Sequence, residues 1–417
     1  MKRISIMFFL CTFYYISYAQ EFLRDRIYEK KIKTVLAYKE GNKLNLPVIE
    51  LNSNEKLTVC FDEITSDANT YFYTIIHCNS NWEESELYMN EYINGFSENE
   101  IYNYKYSYNT TVNYVHYSFK LPNNDIEFLI SGNYIIKVYK DNNPENLVFT
   151  KRFMINESKV NIDAEKINKG QTGYFYNKQE LKVVVNNEKY GIEDLQQNIQ
   201  LVIVKNNDWT NFISKIGYNS IVGNKIIYYN PNKLKFEGGN EFHNFNTKDI
   251  YYKSENIERI DFIANKYNFL LTSDVENEFS EYNYKKDLNG AYFIDVINSE
   301  NPNVDADYVN VFFTLNMNVP LQKGDVYVWG ALTNYNFTND NKMRYNYNQK
   351  AYEISLLLKQ GYYNYSYITK SANNVDYNFI DGNYSLTENE YLILVYYKDI
   401  SMGYDKLIGA KRFVTKQ

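Results

Sequence analysis

Three histidines and three cysteines are the side chains in this 417-residue sequence that could bind a metal or attack a substrate. His77, His116 and His243 lie far apart in the chain, and neither His-x-His nor His-Glu-x-x-His occurs. A zinc site needs ligands that converge, which usually shows as short spacing between them. We therefore expect histidines that pack in the interior, and neither a metal nor another cofactor.

Patterns for catalysis are equally sparse. No Gly-x-Ser-x-Gly elbow for a nucleophilic serine occurs, and Cys78 falls in an alternating, strand-like run. Gly217 and Gly223 precede Asn224-Lys225 without the Gly-Lys-Ser/Thr of a phosphate-binding loop. Glycoside hydrolysis needs two carboxylates at a set separation, and no pair stands out among the 51 acidic residues. The sequence favours a protein that is not an enzyme, although a carboxylate pair lining a cleft would favour a hydrolase.

Aromatic side chains dominate the composition, with 45 tyrosines in a sequence that is 18% aromatic. Tyrosine suits half-buried strands because its ring is apolar and its hydroxyl stays wet, so a structural role is favoured over a ligand surface. One segment, 326–335, resembles the immunoglobulin-like modules that bind starch and glycogen, in which an aromatic pair stacks on sugar. Trp329 and Tyr335 would be that pair. Because Trp329 falls inside a predicted strand, core packing is the favoured interpretation.

The elements that must position these residues are short strands separated by turns rich in Asn, Asp and Gly, and no convincing amphipathic helix interrupts them. This spacing is typical of all-β proteins built from tandem antiparallel β-sandwich domains of the immunoglobulin-like kind. The predicted strands are 48–51, 57–61, 71–78, 114–121, 134–139, 147–155, 181–185, 199–205, 225–229, 257–263, 291–296, 308–317, 326–329, 351–358, 362–369, 391–398 and 407–414.

The first residues have the form of an export signal. Met1-Lys2-Arg3 is charged, residues 4–16 are almost entirely apolar, and Ser17-Tyr18-Ala19 resembles a cleavage site. An apolar run of about 13 residues is too short to span a membrane, so we expect cleavage after Ala19 and no direct membrane insertion. The net charge of −7, without a basic stripe, argues against a nucleic-acid partner.

The mature chain has the length of two to three domains at the usual ~150 residues each. A polar stretch at 156–179 marks the first boundary, and a long alternating strand opens the last part of the chain near Asp305. The predicted division is a signal peptide at 1–19, an N-terminal β-sandwich at 20–156, a middle β-sandwich at 157–304 and a C-terminal immunoglobulin-like β-sandwich at 305–417.

Cys60 and Cys78 remain after the signal is removed. Export permits a disulfide. If strands 57–61 and 71–78 form a simple hairpin, however, Cys60 lies opposite roughly Tyr73, and bridged cysteines need Cα atoms within about 7 Å. We expect both to remain thiols, and the disulfide stays an open alternative.

A series of motifs runs in order along the mature chain, and the densest group lies between Tyr71 and Asn123. The motifs are Phe61-Asp62-Glu63, Tyr73-Thr74-Ile75-Ile76-His77-Cys78-Asn79 with Trp82, Tyr92-Ile93-Asn94-Gly95-Phe96, Ser107-Tyr108-Asn109-Thr110, His116-Tyr117, Leu121-Pro122-Asn123, Ser131-Gly132-Asn133-Tyr134, Gly239-Asn240-Glu241-Phe242, Leu358-Lys359-Gln360-Gly361-Tyr362-Tyr363-Asn364-Tyr365 and Asp405-Lys406-Leu407-Ile408-Gly409. Together these motifs resemble the type 9 secretion system Plug protein family of Bacteroidetes. One departure is His243, where the family usually shows arginine.

The resemblance implies a periplasmic, non-enzymatic protein that docks on the periplasmic mouth of an outer-membrane translocon barrel and seals its pore when no substrate is in transit. Interface anchors are enriched in tryptophan and tyrosine, so the candidate contacts are Trp82, Tyr88, Tyr92 and Phe96. At least two of these are expected to pack beneath their own loop. The alternative function is that of a periplasmic or surface glycan-binding protein, which requires Trp329 and Tyr335 to be exposed together.

Overall fold

The fold is mostly β, with 49% of residues in strands and about 3% in helices. The structure is a computed structural model that describes residues 24–167, 177–188, 190, 198–276, 281–372 and 374–415. The predicted signal peptide lies outside these ranges. Within them, no helix has the length and apolar character needed to cross a membrane. The all-β prediction is confirmed at this level, with several antiparallel sheets.

The described residues divide into two compact units. Unit 1 contains residues 24–104, 117–158 and 396–408, and unit 2 contains the rest. The segment 396–408, assigned above to the C-terminal domain, thus belongs to the same unit as the N-terminal strands. The predicted three-domain division stays a prediction.

Twelve strands, some very short, form the first part of the chain. Their bounds are β1 Arg26–Ile27, β2 Ile32–Lys39, β3 Val48–Glu50, β4 Leu57–Glu63, β5 Tyr71–Cys78, β6 Ile93–Gly95, β7 Asn99–Glu100, β8 Tyr104–Tyr106, β9 Val115–Leu121, β10 Ile126–Phe128, β11 Gly132–Lys140 and β12 Leu147–Asn156. These strands make a sheet in the order β1-β12-β11-β5-β7 with β3 beside β12, a sheet in the order β2-β4-β9-β8, and a ribbon of β6 and β10.

β4 and β5 do not form the simple hairpin that was considered for the two cysteines. β4 pairs with β2, whereas β5 pairs with β11 in the other sheet. The two strands meet through side chains instead, since the ring of Phe61 on β4 lies at a centroid distance of 5.2 Å from Tyr71 on β5 and 5.0 Å from Phe149 on β12. Cys60 and Cys78 are consequently buried thiols on strands of two different sheets.

Twenty further strands follow, and four sheets contain them. Their bounds are β13 Asn161–Ile167, β14 Lys178–Asn186, β15 Ile199–Lys205, β16 Phe212–Ile213, β17 Ser220–Val222, β18 Lys225–Tyr228, β19 Lys235–Glu237, β20 His243–Asn246, β21 Ile257–Ile263, β22 Lys266–Leu271, β23 Asp274–Val275, β24 Tyr292–Ile294, β25 Tyr308–Asn316, β26 Asp325–Trp329, β27 Arg344–Asn346, β28 Ala351–Lys359, β29 Gly361–Lys370, β30 Val375–Asp376, β31 Glu390–Asp399 and β32 Tyr404–Val414. The strand orders in the four sheets are β13-β14-β18-β17 with β19, β16-β15-β31-β32, β20-β29-β24 with β26 and β30, and β21-β22-β25-β28-β27 with β23.

Among the residues that the structure describes there are two four-residue helices, α1 at Met89–Tyr92 and α2 at Pro302–Asp305. The backbone N–H of Tyr88 donates to Glu91 Oε2 at 2.7 Å, which satisfies a donor at the start of α1. A helix of one turn is too short to produce a periodic apolar pattern, so the sequence does not reveal it.

A partly buried ion cluster lies in unit 2. His243 Nδ1 is 3.0 Å from Asp274 Oδ1, and Nε2 is 3.0 Å from Asp381 Oδ1. Each ring nitrogen that faces a carboxylate donates to it, so the ring is a doubly protonated cation. The hydroxyls of Tyr365 and Tyr367 both donate to Asp274 Oδ2 at 2.7 Å. The positive charge that arginine would supply at position 243 is therefore retained.

Candidate partner-binding surface

The four aromatic residues predicted to contact a partner separate into two pairs. Trp82 is 4% exposed and Tyr92 is 8% exposed, so both are part of the interior of unit 1. Tyr88 is 78% exposed and Phe96 is 68% exposed. Two of the four side chains therefore pack beneath their loop, and the other two can touch a partner.

Trp82 packs against a half-buried cation, Arg152. Its backbone N–H donates to Asn79 O at 2.9 Å in the turn that follows β5. The Arg152 guanidinium lies 4.5 Å from the centroid of the Trp82 ring, a cation–π distance. Burial lowers the pKa of Arg152 to about 10, which leaves it charged at neutral pH. Trp82 therefore stabilises the base of the loop.

Tyr92 ends α1 and anchors it to β5. Its hydroxyl donates to Ile75 O at 3.3 Å, and its ring lies 5.6 Å from that of His77. Burial lowers the pKa of His77 to about 4, so this histidine is neutral. Its Nε2 faces Ser131 O at 3.3 Å and must carry the proton, and Nδ1 accepts from Ser85 Oγ at 2.9 Å. His77 is a structural residue that holds the loop down.

The ribbon of β6 and β10 carries Phe96 to the surface. Buried Ile93 pairs with buried Phe128 at the base of the ribbon, and Gly95 pairs with Ile126 at its end. The Phe96 N–H then donates to Asp125 O at 3.3 Å. The ribbon is thus rooted in the core at one end, and its free end exposes an aromatic ring.

The residues around Tyr88 and Phe96 are acidic. Leu129, which is 44% exposed, adds a third apolar side chain, and its N–H donates to Tyr92 O at 3.0 Å. Between positions 57 and 104 the sequence contains no lysine or arginine. We call this region the acidic aromatic surface, and it consists of the apolar residues Tyr88, Phe96 and Leu129 and the exposed carboxylates Glu86, Glu91, Glu98, Asp125 and Glu127.

Leu129 and the five carboxylates were not singled out from the sequence. The long stretch without a basic residue was a visible signal for the carboxylates at 86–98. Nothing in the pattern of the segment 124–130 indicates that it pairs with residues 93–95, because that contact depends on the register of a ribbon formed across the fold.

The pair proposed to stack on sugar, Trp329 and Tyr335, is not exposed as a pair. Trp329 is 2% exposed, and its Nε1 donates to Asp208 Oδ2 at 3.0 Å. The Tyr335 hydroxyl donates to Asn206 O at 2.9 Å. Since a stacking platform must present its ring face to the ligand, a buried Trp329 does not provide one.

A cleft of about 740 Å³ on unit 2 contains two carboxylates in its lining, Glu258 and Glu353. Glu258 is exposed, and half-buried Glu353 accepts a hydrogen bond from Asn346 Nδ2 at 3.0 Å. The acid of a glycosidase needs a desolvated carboxyl group, and an exposed Glu258 beside a half-buried Glu353 does not provide one. Over the described ranges, no group of three or more His, Cys, Asp or Glu side chains could hold a metal ion.

A family model matches part of the chain. The match covers residues 32–157, and the model describes the first domain of the type 9 secretion system plug protein. These residues include the whole acidic aromatic surface. A search of curated proteins found no match.

A solved protein of similar sequence and fold covers nearly the whole chain. It is a hypothetical protein from Parabacteroides merdae, with 34% identity, a TM-score of 0.90, and coverage of 94% of this chain and 99% of that one. An alkylpurine DNA glycosylase from Pseudomonas fluorescens, solved with DNA, has 11% identity over 30% of each chain at a TM-score of only 0.17, which does not indicate a shared fold. From the match over residues 32–157 and the similarity along nearly its full length, this chain belongs to the type 9 secretion system plug protein family.

Proposed function

We propose that this protein is a periplasmic plug of the type 9 secretion system. It binds the periplasmic mouth of the outer-membrane translocon barrel and seals the pore when no substrate is in transit. The observation that carries the proposal is family membership, since the match over residues 32–157 supports a role in type 9 secretion and a place in the cell envelope. Fold alone would not suffice, because similar β folds host many functions.

The rigidity and the surface composition of this molecule suit a plug. A pore wide enough for folded cargo leaks solutes, so its plug must be large, rigid and reversibly held. Extensive β-sheet provides rigidity in both units. The acidic aromatic surface combines Tyr88 and Phe96 with polar neighbours, which is the composition of a non-obligate interface.

The same proposal includes finer points. The protein is exported by cleavage after Ala19 and is held at the inner face of the outer membrane without inserting into it. It acts as a binding component rather than an enzyme, which agrees with a family of structural secretion components. Its strands form three sandwich domains, of which the last is immunoglobulin-like. A glycan-binding role has less support because Trp329 is buried.

Deletion of the gene tests the proposal. Cells that lack this protein but retain the translocon barrel should take up more of a large antibiotic such as vancomycin, and the wild-type gene should restore the barrier. A second strain that lacks both the protein and the barrel is the control, and its uptake should return to the wild-type level. Unchanged uptake in the single deletion, with the barrel confirmed by immunoblot, would defeat the plug proposal.

A further inference from the structure

We infer that the acidic aromatic surface docks on a basic protein surface, which carries arginine and lysine side chains at the periplasmic face of the translocon. This inference rests on the proposed function and adds the chemistry of the partner and the face that meets it. The carboxylates around Tyr88, Phe96 and Leu129 support it by their position, their exposure and their hydrogen-bond and ion-pair partners.

The carboxylates and the exposed rings share the same short elements. Glu91 lies in α1, one turn after Tyr88, and its Oε2 accepts the Tyr88 N–H at 2.7 Å. Glu127 lies opposite Asn94 on the ribbon and accepts from Asn94 Nδ2 at 3.3 Å. Asp125 is at the ribbon end, where its carbonyl receives the Phe96 N–H. Three of the carboxylates thus lie on the same short elements as Tyr88 and Phe96. The other two, Glu86 and Glu98, are exposed, and each lies two residues from one of these rings in the sequence.

These carboxylates lack cationic partners within unit 1. Among the described residues, none of the five makes an ion pair. Two carboxylates elsewhere in unit 1 are paired with cations, Glu55 with Lys39 at 3.0 Å and Asp25 with Lys151 at 2.6 Å. The acidic aromatic surface therefore keeps a local negative potential that a cationic partner would relieve.

Arginine satisfies both parts of this surface at once. Its guanidinium binds carboxylates through two parallel hydrogen bonds and also stacks on the faces of tyrosine and phenylalanine. Lysine supplies the charge without the planar fork. An anionic lipid headgroup would be repelled by this surface, because its negative phosphate would face the negative carboxylates. Charge complementarity therefore selects a basic protein surface over the membrane that surrounds it.

Capture of the translocon barrel from solubilised outer membranes provides the test. The mature full-length protein, immobilised through a tag, is exposed to an outer-membrane extract of the same organism, and the bound barrel is quantified by mass spectrometry. Because the Debye length shortens from roughly 14 Å to roughly 4 Å between about 50 mM and about 500 mM salt, capture should fall at least about tenfold over that range.

Charge-reversal variants test whether the salt-dependent capture of the barrel depends on the acidic aromatic surface. The triple variant Glu86→Lys, Asp125→Lys and Glu127→Lys should capture at least about tenfold less barrel at low salt. The matched control changes three exposed carboxylates elsewhere, Asp67→Lys, Glu145→Lys and Glu188→Lys, and so has the same net charge. The control should capture as much barrel as the wild type. Thermal unfolding of both variants verifies that they are folded.

The outcomes separate the two proposals. If the wild type captures the barrel but neither salt nor the triple variant matters, the basic-partner inference is overturned and the plug proposal stands. Equal losses in the two triple variants would also overturn the inference, since net charge and not this surface would be responsible. If the wild type captures no barrel, both proposals fail. Binding to phosphatidylethanolamine–phosphatidylglycerol vesicles that needs Phe96 would assign the surface to the membrane instead.

Discussion

Ser80 donates two hydrogen bonds to Asp405 Oδ2, from its backbone N–H at 3.0 Å and from its hydroxyl at 2.7 Å. These residues are 325 positions apart, and Ser80 begins the loop that continues to α1. Next to this contact, Tyr404 packs on His77 at a ring distance of 5.4 Å, and the Tyr396 hydroxyl donates to Asn133 Oδ1 at 2.8 Å. The segment 396–408 thus completes unit 1 beneath the acidic aromatic surface.

Removal of the Asp405 carboxylate should loosen this closure. Hydrogen bonds to a charged acceptor contribute about 1.5–3 kcal/mol, so we expect Asp405→Ala to lower the free energy of unfolding by about 3 kcal/mol. Urea unfolding measures the change, with the exposed Asp67→Ala as the control. A change as small as that of the control would mean that Ser80 and Asp405 do not hold the segment in solution.

The charge of His243 should matter most at alkaline pH. Burial by itself lowers the pKa of His243, but the carboxylates of Asp381 and Asp274 outweigh burial and raise the pKa to about 10. A folded-state pKa above the unfolded value gives stability that is complete below about pH 6.5 and is lost as the pH rises through about 10. Arginine keeps its charge throughout this range.

His243→Arg therefore provides the comparison. The free energy of unfolding of the wild type should fall between pH 7 and about pH 10.5 by more than that of His243→Arg, because only the histidine loses its proton. His243→Ala should lose about 3 kcal/mol already at pH 7, because it leaves buried Asp381 and half-buried Asp274 without a cation. Parallel pH curves for the wild type and His243→Arg would contradict a protonated His243.

Gly95 should be required for the ribbon that exposes Phe96. Its φ of +148° suits glycine, and a Cβ at this position would lie 2.0 Å from Asp125 O. We expect Gly95→Ala to destabilise unit 1 by at least about 2 kcal/mol, since backbone on both sides of the clash must move. Gly217→Ala, where a Cβ meets no atom within 4 Å, is the matched control for a denaturant titration. Equal stability of the two variants would disprove the steric argument.

Phe96 and Tyr88 should be the apolar anchors of the contact with the translocon. Truncation of a central aromatic anchor commonly weakens binding by about 2 kcal/mol, so Phe96→Ala and Tyr88→Ala should each reduce barrel capture roughly thirtyfold. Tyr251→Ala removes an equally exposed ring on unit 2 and should have no effect. Full barrel capture by both anchor variants would mean that the contact with the translocon lies on another surface of the protein.

Cys60 and Cys78 should react only after unfolding. Both are buried thiols, and burial raises the pKa of Cys78 to about 12, so little thiolate forms at neutral pH. We expect no maleimide labelling of the native protein and two labels in urea without a reductant, measured by intact mass. One or no label in urea would reveal a disulfide in solution.

The strands could be predicted from the sequence because alternation of apolar and polar residues is a local property. The predicted bounds of β5, β15 and β21 agree with the structure. β13, Asn161–Ile167, was missed because it lies in the stretch 156–179 that was interpreted as a polar boundary, although Ile162 and Ala164 alternate with polar neighbours. The ribbon strands β6 and β10 were missed because three residues are too few to show a periodic pattern.

The sequence by itself determined the strand content, the acidic stretch without a cation, and the family, because each depends on residues read in order along the chain. Only the tertiary structure decided that β4 and β5 join different sheets, that Trp82 and Tyr92 are buried whereas Tyr88 and Phe96 are exposed, and that His243 lies between Asp274 and Asp381. Each of these outcomes depends on which distant segment packs on a given face. Burial and hydrogen-bond partners are set by that packing, and residues far apart in sequence supply them.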